Sequence, residues 1–328
     1  MRDDEGIRAH RVERMSLLNR LEPGARTYME RLVREGGKPL PQLSVKAARQ
    51  YMRDGQTAPL EHLSISIETV DAAGVVLTIV RPAQARGPLP AVLYLHGGGW
   101  VLGGIETHAR VVREVALRAE AAVVFPHYAL SPEARFPVAV EQCYAVARWV
   151  QSHGAEHAID GSRMAVAGDS AGGNLAAVVA LLMVQRGDPA LRLQVLVCPA
   201  LEASSRTSSY EEFAEGLNLT REAMEWFWSQ YVPDAALRGQ LTASPLQAPL
   251  AERSRVARAV IVTAECDVLR DDGELYARRL TEAGVAVVAM RMLGTIHNFP
   301  VIDDLQGSGP AMSALRVVGD ALRTALHE

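Results

Sequence analysis

The spacing of apolar residues along the chain changes character twice. In the first 55 residues or so, Leu17, Leu18 and Leu21, and then Tyr28, Met29, Leu32 and Val33, recur at helical intervals. Ser44 precedes a further helical run from Val45 to Met52, closed by Gly55. Near residue 61 the period drops to two. Leu63, Ile65 and Ile67 alternate with His62, Ser64, Ser66 and Glu68, which predicts a half-exposed strand, and Val75 to Val80 reads as its partner after Gly74. Beyond this the chain alternates between two kinds of segment. Strand-like runs fall at Ala91–Leu95, Ala121–Phe125, Met164–Ala167, Leu193–Val197, Val260–Thr263 and Val285–Met290. Helical patterns lie between them at 106–119, 137–152, 171–186 and 272–283, and a last helix is predicted at 309–326. Strands alternating with helices imply parallel strands joined by crossover helices, and the two early strands suit an antiparallel edge.

One excursion interrupts the alternation. About sixty residues separate the strand ending at Val197 from the one at Val260, and the stretch 205–245 concentrates Tyr210, Phe213, Trp226, Phe227, Trp228 and Tyr231. An insertion after the carboxyl end of a strand lies where ligands bind in such sheets, so it reads as part of a lid. The alternative is a small aromatic core beneath a long loop, since cores and pockets both use aromatics.

Candidate chemistry centres on Gly168-Asp169-Ser170-Ala171-Gly172, set between a buried strand and a buried helix. A Gly-x-Ser-x-Gly in that setting is the signature of a nucleophile elbow. The turn must be sharp enough to stand the Ser170 hydroxyl out of the sheet, and side chains at 168 and 172 would collide there. A second landmark, His96-Gly97-Gly98-Gly99-Trp100, follows the strand ending at Leu95. Adjacent glycines let bare N–H groups converge on a tetrahedral oxyanion, and Gly98, Gly99 and the amide of Ala171 are the expected donors. His96 reads as a structural residue that holds the loop. A dinucleotide loop fits poorly: Gly103 falls one residue late for the fingerprint, and the next strand ends in Pro126-His127-Tyr128, without an acid for a ribose hydroxyl.

A nucleophilic serine needs a base, and the base needs an orienting acid. His297 is the only histidine between Ser170 and the penultimate His327. Asp267 follows the preceding strand, with Glu265, Asp271 and Asp272 as rivals. Asp271 and Asp272 already suit the start of the next helix, where carboxylates are favoured by the dipole. Ser170, Asp267 and His297 then stand in the chain order used by hydrolases of this kind.

Composition narrows the alternatives. The 328-residue chain is 48% hydrophobic and 22% charged, with a net charge of −4, so no nucleic acid or other polyanion is an expected partner. Lys38 and Lys46 are the only lysines and lie far from any glycine-rich loop, which argues against Schiff-base chemistry, a Ser-Lys dyad and a Walker-type loop. Cys143, Cys198 and Cys266 form neither a disulfide framework nor a zinc spacing, which suggests a reducing, cytoplasmic setting. The N-terminus lacks the apolar stretch of a signal peptide, and no apolar run is long enough for stable membrane insertion.

The sequence resembles the hormonesensitive-lipase-like (bacterial family IV) carboxylesterases. Four motifs carry the likeness, in order: His96–Trp100, Tyr128-Ala-Leu-Ser-Pro-Glu133, Gly168–Gly173, and Asp267–Asp271 with His297-Asn298-Phe299. The resemblance implies an α/β-hydrolase fold, a mostly parallel doubly wound sheet with a helical cap. The cap would comprise an N-terminal segment, residues 1–55, and the insertion at about 205–245 of a catalytic domain spanning 56–328. It also implies a Ser170–Asp267–His297 triad, hydrolysis of small esters with short to medium acyl chains, no cofactor or metal, and a possible homodimer. Trp100, Trp226, Phe227 and Phe299 are the expected pocket residues. His127 and Ala129 stand where the family commonly has Asp and Arg, so support beneath the site must be supplied otherwise. An amidase or formamidase would share the triad. A non-catalytic receptor on the same scaffold would lack the triad histidine, which is present here. A histidine base must be neutral, so activity is expected to fall as pH drops below roughly 6–7.

Overall fold

The computed structural model describes residues 16–56, 58–204 and 207–328. Residues 1–15 of the expected N-terminal cap segment and residues 205–206 of the insertion lie outside the described residues. Helix α1 (Pro23–Glu35) starts on the carboxylate of Glu22, which accepts from the amides of Ala25 at 2.7 Å and Gly24 at 2.9 Å. Helix α2 (Val45–Asp54) is capped by the Ser44 hydroxyl, which accepts from Ala47 N. These caps satisfy amides that the first helical turn leaves without intrahelical partners.

Eight strands form one sheet: β1 (Ile65–Ala72), β2 (Val75–Pro82), β3 (Leu89–Leu95), β4 (Ala122–Pro126), β5 (Ile159–Asp169), β6 (Gln194–Val197), β7 (Ala259–Cys266) and β8 (Val287–Ile296). Their spatial order is β1-β2-β4-β3-β5-β6-β7-β8. The pairings β1/β2 and β2/β4 are antiparallel and all others parallel. The expected antiparallel edge and parallel body are both present. The first strand begins later than its alternation suggests, at Ile65, and Leu63 is 97% exposed.

Long helices cover the sheet in two groups. Helix α3 (Ile105–Ala119) packs against α8 (Gly309–His327), and α4 (Val138–His153) packs against α5 (Ala171–Gln185). Helix α7 (Arg270–Glu282) lies on β7. Helix α5 is buried on every side from Ala171 to Met183, which matches its unbroken apolar sequence. Helix α6 (Arg221–Tyr231) belongs to the long excursion after β6.

The order of the strands reverses between β3 and β5, which pair with Leu95 opposite Gly168. Chain leaving the carboxyl ends of two such neighbours diverges and opens a crevice. The segment following β3 is His96–Trp100, and the segment following β5 is Ser170. The topology therefore puts the glycine loop beside the serine turn.

Candidate active site

The serine turn is strained and tightly packed. Ser170 has φ 53° and ψ −119°, an unusual conformation for a non-glycine residue. A Cβ at Gly172 would lie 1.9 Å from the Leu95 carbonyl oxygen, and one at Gly168 would lie 2.3 Å from the Gly172 carbonyl oxygen. The crowding thus comes from β3 as well as from the turn's own strand and helix.

Three distant side chains meet at this turn. The Ser170 hydroxyl lies 3.0 Å from His297 Nε2, and Asp267 Oδ2 lies 2.8 Å from His297 Nδ1. All three residues are buried, with Asp267 1% and His297 6% exposed. The Asp267 carboxylate accepts a hydrogen bond from Nδ1–H, which leaves Nε2 free to accept from the serine hydroxyl. Asp267 Oδ1 accepts from Leu269 N at 3.0 Å, which fixes the carboxylate plane.

The rival acids are engaged elsewhere. Asp272 Oδ2 accepts from the amides of Leu201 and Glu202. Asp271 accepts from Ser209 N and pairs with Arg270. Glu265 accepts from Gly294 N at 2.7 Å and pairs with Arg20. Asp271 and Asp272 lie in the first turn of α7, as their sequence position suggested, yet their carboxylates also tie down the excursion that follows β6.

A second carboxylate organises the surroundings. Asp169 is buried, and its Oδ1 accepts from Tyr94 Oη at 2.9 Å and from Gly97 N at 3.2 Å. Its Oδ2 accepts from Asn298 Nδ2 at 2.8 Å, and the His108 ring lies 3.3 Å from Oδ1. Burial opposes the charge, but the His108 ring and the Tyr94 hydroxyl outweigh it and hold the Asp169 carboxyl below the usual carboxylate range. The glycine loop, the serine turn and the histidine loop therefore share one anion. Sequence reasoning missed this role of Asp169 and Asn298. The signal was available, since each is the immediate neighbour of a reactive residue.

His96 is fully enclosed. Its Nδ1 donates to Gly97 O at 2.7 Å, and its ring stacks on Tyr128 at 4.3 Å between centroids. Burial and the neighbouring His108 push its pKa down to about 3, so the ring is neutral. Tyr128 donates to His96 O at 2.7 Å. Support for the 128–133 loop comes from outside that loop. Arg49 of α2 makes a bidentate pair with Glu133 and also donates to Val101 O at 2.8 Å and Ser131 O at 3.0 Å. His127 pairs with Thr78 Oγ1 at 2.8 Å.

A cavity of about 400 Å³ opens onto Ser170 and His297. Gly98 and Gly99 line it, whereas Ala171, the first residue of α5, lies buried directly behind the serine. Its walls include Leu32, Met52, Leu219, Phe227 and Val301. Of the expected aromatic pocket residues only Phe227 lines this space. Trp100 is wholly buried and stacks on Tyr231 at 4.4 Å, with Trp228 at 4.5 Å. Phe299 is 1% exposed and packs in the core. Trp226 leans on Phe227 from outside the cavity, 5.1 Å between centroids. The reason is helical phase. On α6, residues 224, 227, 228 and 231 share the buried face, and a neighbour one position away is turned by about 100°. The aromatic concentration in the excursion is therefore mostly a small core, and Phe227 is its one member at the cavity.

Residues 92–301 match a family model described as alpha/beta hydrolase fold. The chain belongs to that family, in its hormone-sensitive-lipase-like branch. Carboxylesterase NlhH of Mycobacterium tuberculosis is 38% identical over 296 residues, covering 86% of this chain and 90% of that protein. Ethyl acetate hydrolase of Pseudomonas putida is 36% identical over 293 residues, covering 85% and 92%. The crystal structure of a thermostable esterase from Pseudomonas putida superposes with a TM-score of 0.90 at 43% identity, covering 93% of this chain and 98% of that one. No helix among the described residues is long and apolar enough to cross a membrane.

Proposed function

We propose that this protein is a serine carboxylesterase that hydrolyses short- to medium-chain esters through an acyl-enzyme on Ser170. The observation that carries the reading is the relay at the floor of the cavity: Ser170 Oγ to His297 Nε2 at 3.0 Å, and His297 Nδ1 to Asp267 Oδ2 at 2.8 Å. Membership of an esterase-rich family and relatives that cleave carboxylic esters support the same chemistry.

In this mechanism the ester carbonyl carbon sits against Ser170. His297 Nε2 takes the hydroxyl proton as the serine oxygen attacks. Asp267 balances the imidazolium and holds its tautomer. The amides of Gly98, Gly99 and Ala171 receive the oxyanion, each donor being worth on the order of a hundred- to a thousand-fold in rate. The imidazolium then protonates the leaving alcohol, and water repeats the cycle on the acyl-enzyme.

The helical cap comprises the N-terminal segment and the insertion. Leu32, Tyr51 and Met52 come from the first and Leu219, Ala223 and Phe227 from the second, and all line the cavity. This supports acyl-length selection by the cap. The three thiols are buried and free, which favours a cytoplasmic location, and a homodimer is part of the same reading.

The test is a pre-steady-state burst with 4-nitrophenyl acetate, followed by a panel of acyl esters from acetate to decanoate. A burst equal to the enzyme concentration, absent in Ser170→Ala, is expected. Turnover that survives in Ser170→Ala would refute the assignment. Size-exclusion chromatography with light scattering reports the oligomeric state.

A further inference from the structure

Cys198 begins the excursion that follows β6 and lies directly behind the relay. Its sulfur, one carboxylate oxygen of Asp267 and a ring nitrogen of His297 all lie within 4.8 Å of one another, and all three residues are buried. The mechanism makes no use of Cys198.

We propose that Cys198, Asp267 and His297 form an inhibitory site for a thiophilic divalent cation of the zinc or cadmium class, which switches off the esterase chemistry inferred for Ser170. The donor set is one thiolate, one imidazole and one carboxylate. That mixture suits zinc, and three protein donors plus a water complete a tetrahedron. Ligand bonds of about 2.0–2.3 Å in that geometry place donor atoms about 3.3–3.8 Å apart. The 2.8 Å contact between His297 and Asp267 must open by only about half an ångström, and the sulfur has less than about 1.5 Å to travel.

Charge favours the same conclusion. A divalent cation with one thiolate and one carboxylate makes a neutral cluster, which a buried site tolerates far better than a lone charge. A cysteine must give up its thiol proton to bind the cation. Binding releases that one proton to the buffer, and the Cys198 sulfur forms a bond to the metal in its place. No oxidant or reductant takes part.

Inhibition follows from the tautomer. Metal on Nδ1 moves the imidazole proton to Nε2, the atom that faces the Ser170 hydroxyl. The ring then presents a donor where the reaction needs an acceptor, and Ser170 keeps its proton. Rotation of the His297 ring toward the cavity that it lines gives the cation a path. Magnesium and calcium prefer oxygen ligands and should have no effect.

The experiment uses the full-length chain after treatment with EDTA. Zinc chloride should inhibit hydrolysis of 4-nitrophenyl acetate, EDTA should reverse the inhibition, and magnesium chloride should do nothing. Cys198→Ala should retain turnover within about threefold and need at least about ten times more zinc for half inhibition, as loss of a ligand group implies. A second readout needs no turnover. Cobalt(II) added to Ser170→Ala should give a thiolate-to-cobalt charge-transfer band in the near ultraviolet, absent from Ser170→Ala/Cys198→Ala. Absence of turnover in wild type would refute the esterase reading while leaving the cobalt band to judge the metal site. Equal zinc sensitivity in Cys198→Ala, no zinc inhibition at all, or a cobalt complex lacking the thiolate band would each overturn the proposal.

Discussion

Arg49→Ala tests whether the N-terminal segment acts on the glycine loop. The Arg49 guanidinium is about one-fifth exposed and donates to Val101 O and Ser131 O, besides pairing with Glu133. Glu133 is 63% exposed, so breaking that pair returns a carboxylate to water and contributes at most about 1 kcal/mol. The two carbonyl bonds come from a charged donor and are worth about 1.5 kcal/mol each, the lower end of such bonds. The summed loss of stability is about 3 kcal/mol, which for a chain of this size is a fall in Tm of about 4 °C. The catalytic effect has a separate origin. Val101 lies two residues beyond Gly99, and its amide donates to Gly98 O, which ties its position to the proposed oxyanion donors Gly98 and Gly99. If half the energy of one oxyanion donor is lost, kcat falls about 10- to 30-fold. KM should move much less, because the cavity walls stay in place. Arg49→Lys should restore part of kcat, since an ammonium can reach one carbonyl but cannot hold both. Steady-state kinetics on one acyl ester and a thermal melt measure both effects. A kcat within twofold of wild type, in a variant whose Tm has fallen as expected, would refute the link between Arg49 and the oxyanion donors.

Three further substitutions probe the same region. Gly99 has φ +62°, and a Cβ there would lie 2.0 Å from Phe227 Cδ1, so Gly99→Ala should lower kcat at least about tenfold. Adding Phe227→Ala should recover part of that loss, and a double variant no better than Gly99→Ala would show that the clash is not the cause. For His96, burial and His108 hold the folded-state pKa near 3, below the ordinary value of about 6.5. Between these values the unfolded chain binds the extra proton, so stability is complete above about pH 6.5 and falls as the pH drops toward 3. The expected loss from this group by pH 5 is about 2 kcal/mol, read from urea midpoints at pH 7 and pH 5. His96→Gln should flatten that part of the slope, and an unchanged slope would refute the assignment.

The sequence by itself determined the order and type of the main elements, because strand and helix periodicities are local properties of the chain. Every parallel strand lies close to its apolar run, from Leu89–Leu95 to Val287–Ile296. The sequence also nominated the reactive groups, since Gly168–Gly172 and His96–Trp100 are contiguous motifs whose glycines follow from close packing, against backbone at Gly98, Gly168 and Gly172 and against the side chains of Asp169 and Phe227 at Gly97 and Gly99. What it left open depends on contacts between distant parts of the chain. Leu63 continues the alternation of its strand yet lies outside it and is exposed, since pairing with β2 begins only at Ile65. Trp100, Trp226 and Phe299 have the composition of a pocket wall, but the phase of α6 and the stacking around Tyr231 decided which ring faces the cavity. Arg49 supports the 128–133 loop from a distance, 84 positions from its partner Glu133. Asp169 gathers Gly97, His108 and Asn298 from three separate segments. A one-dimensional pattern encodes which face of an element is apolar. Which distant side chain meets that face is set by strand order, and here strand order reverses at the glycine loop and the serine turn.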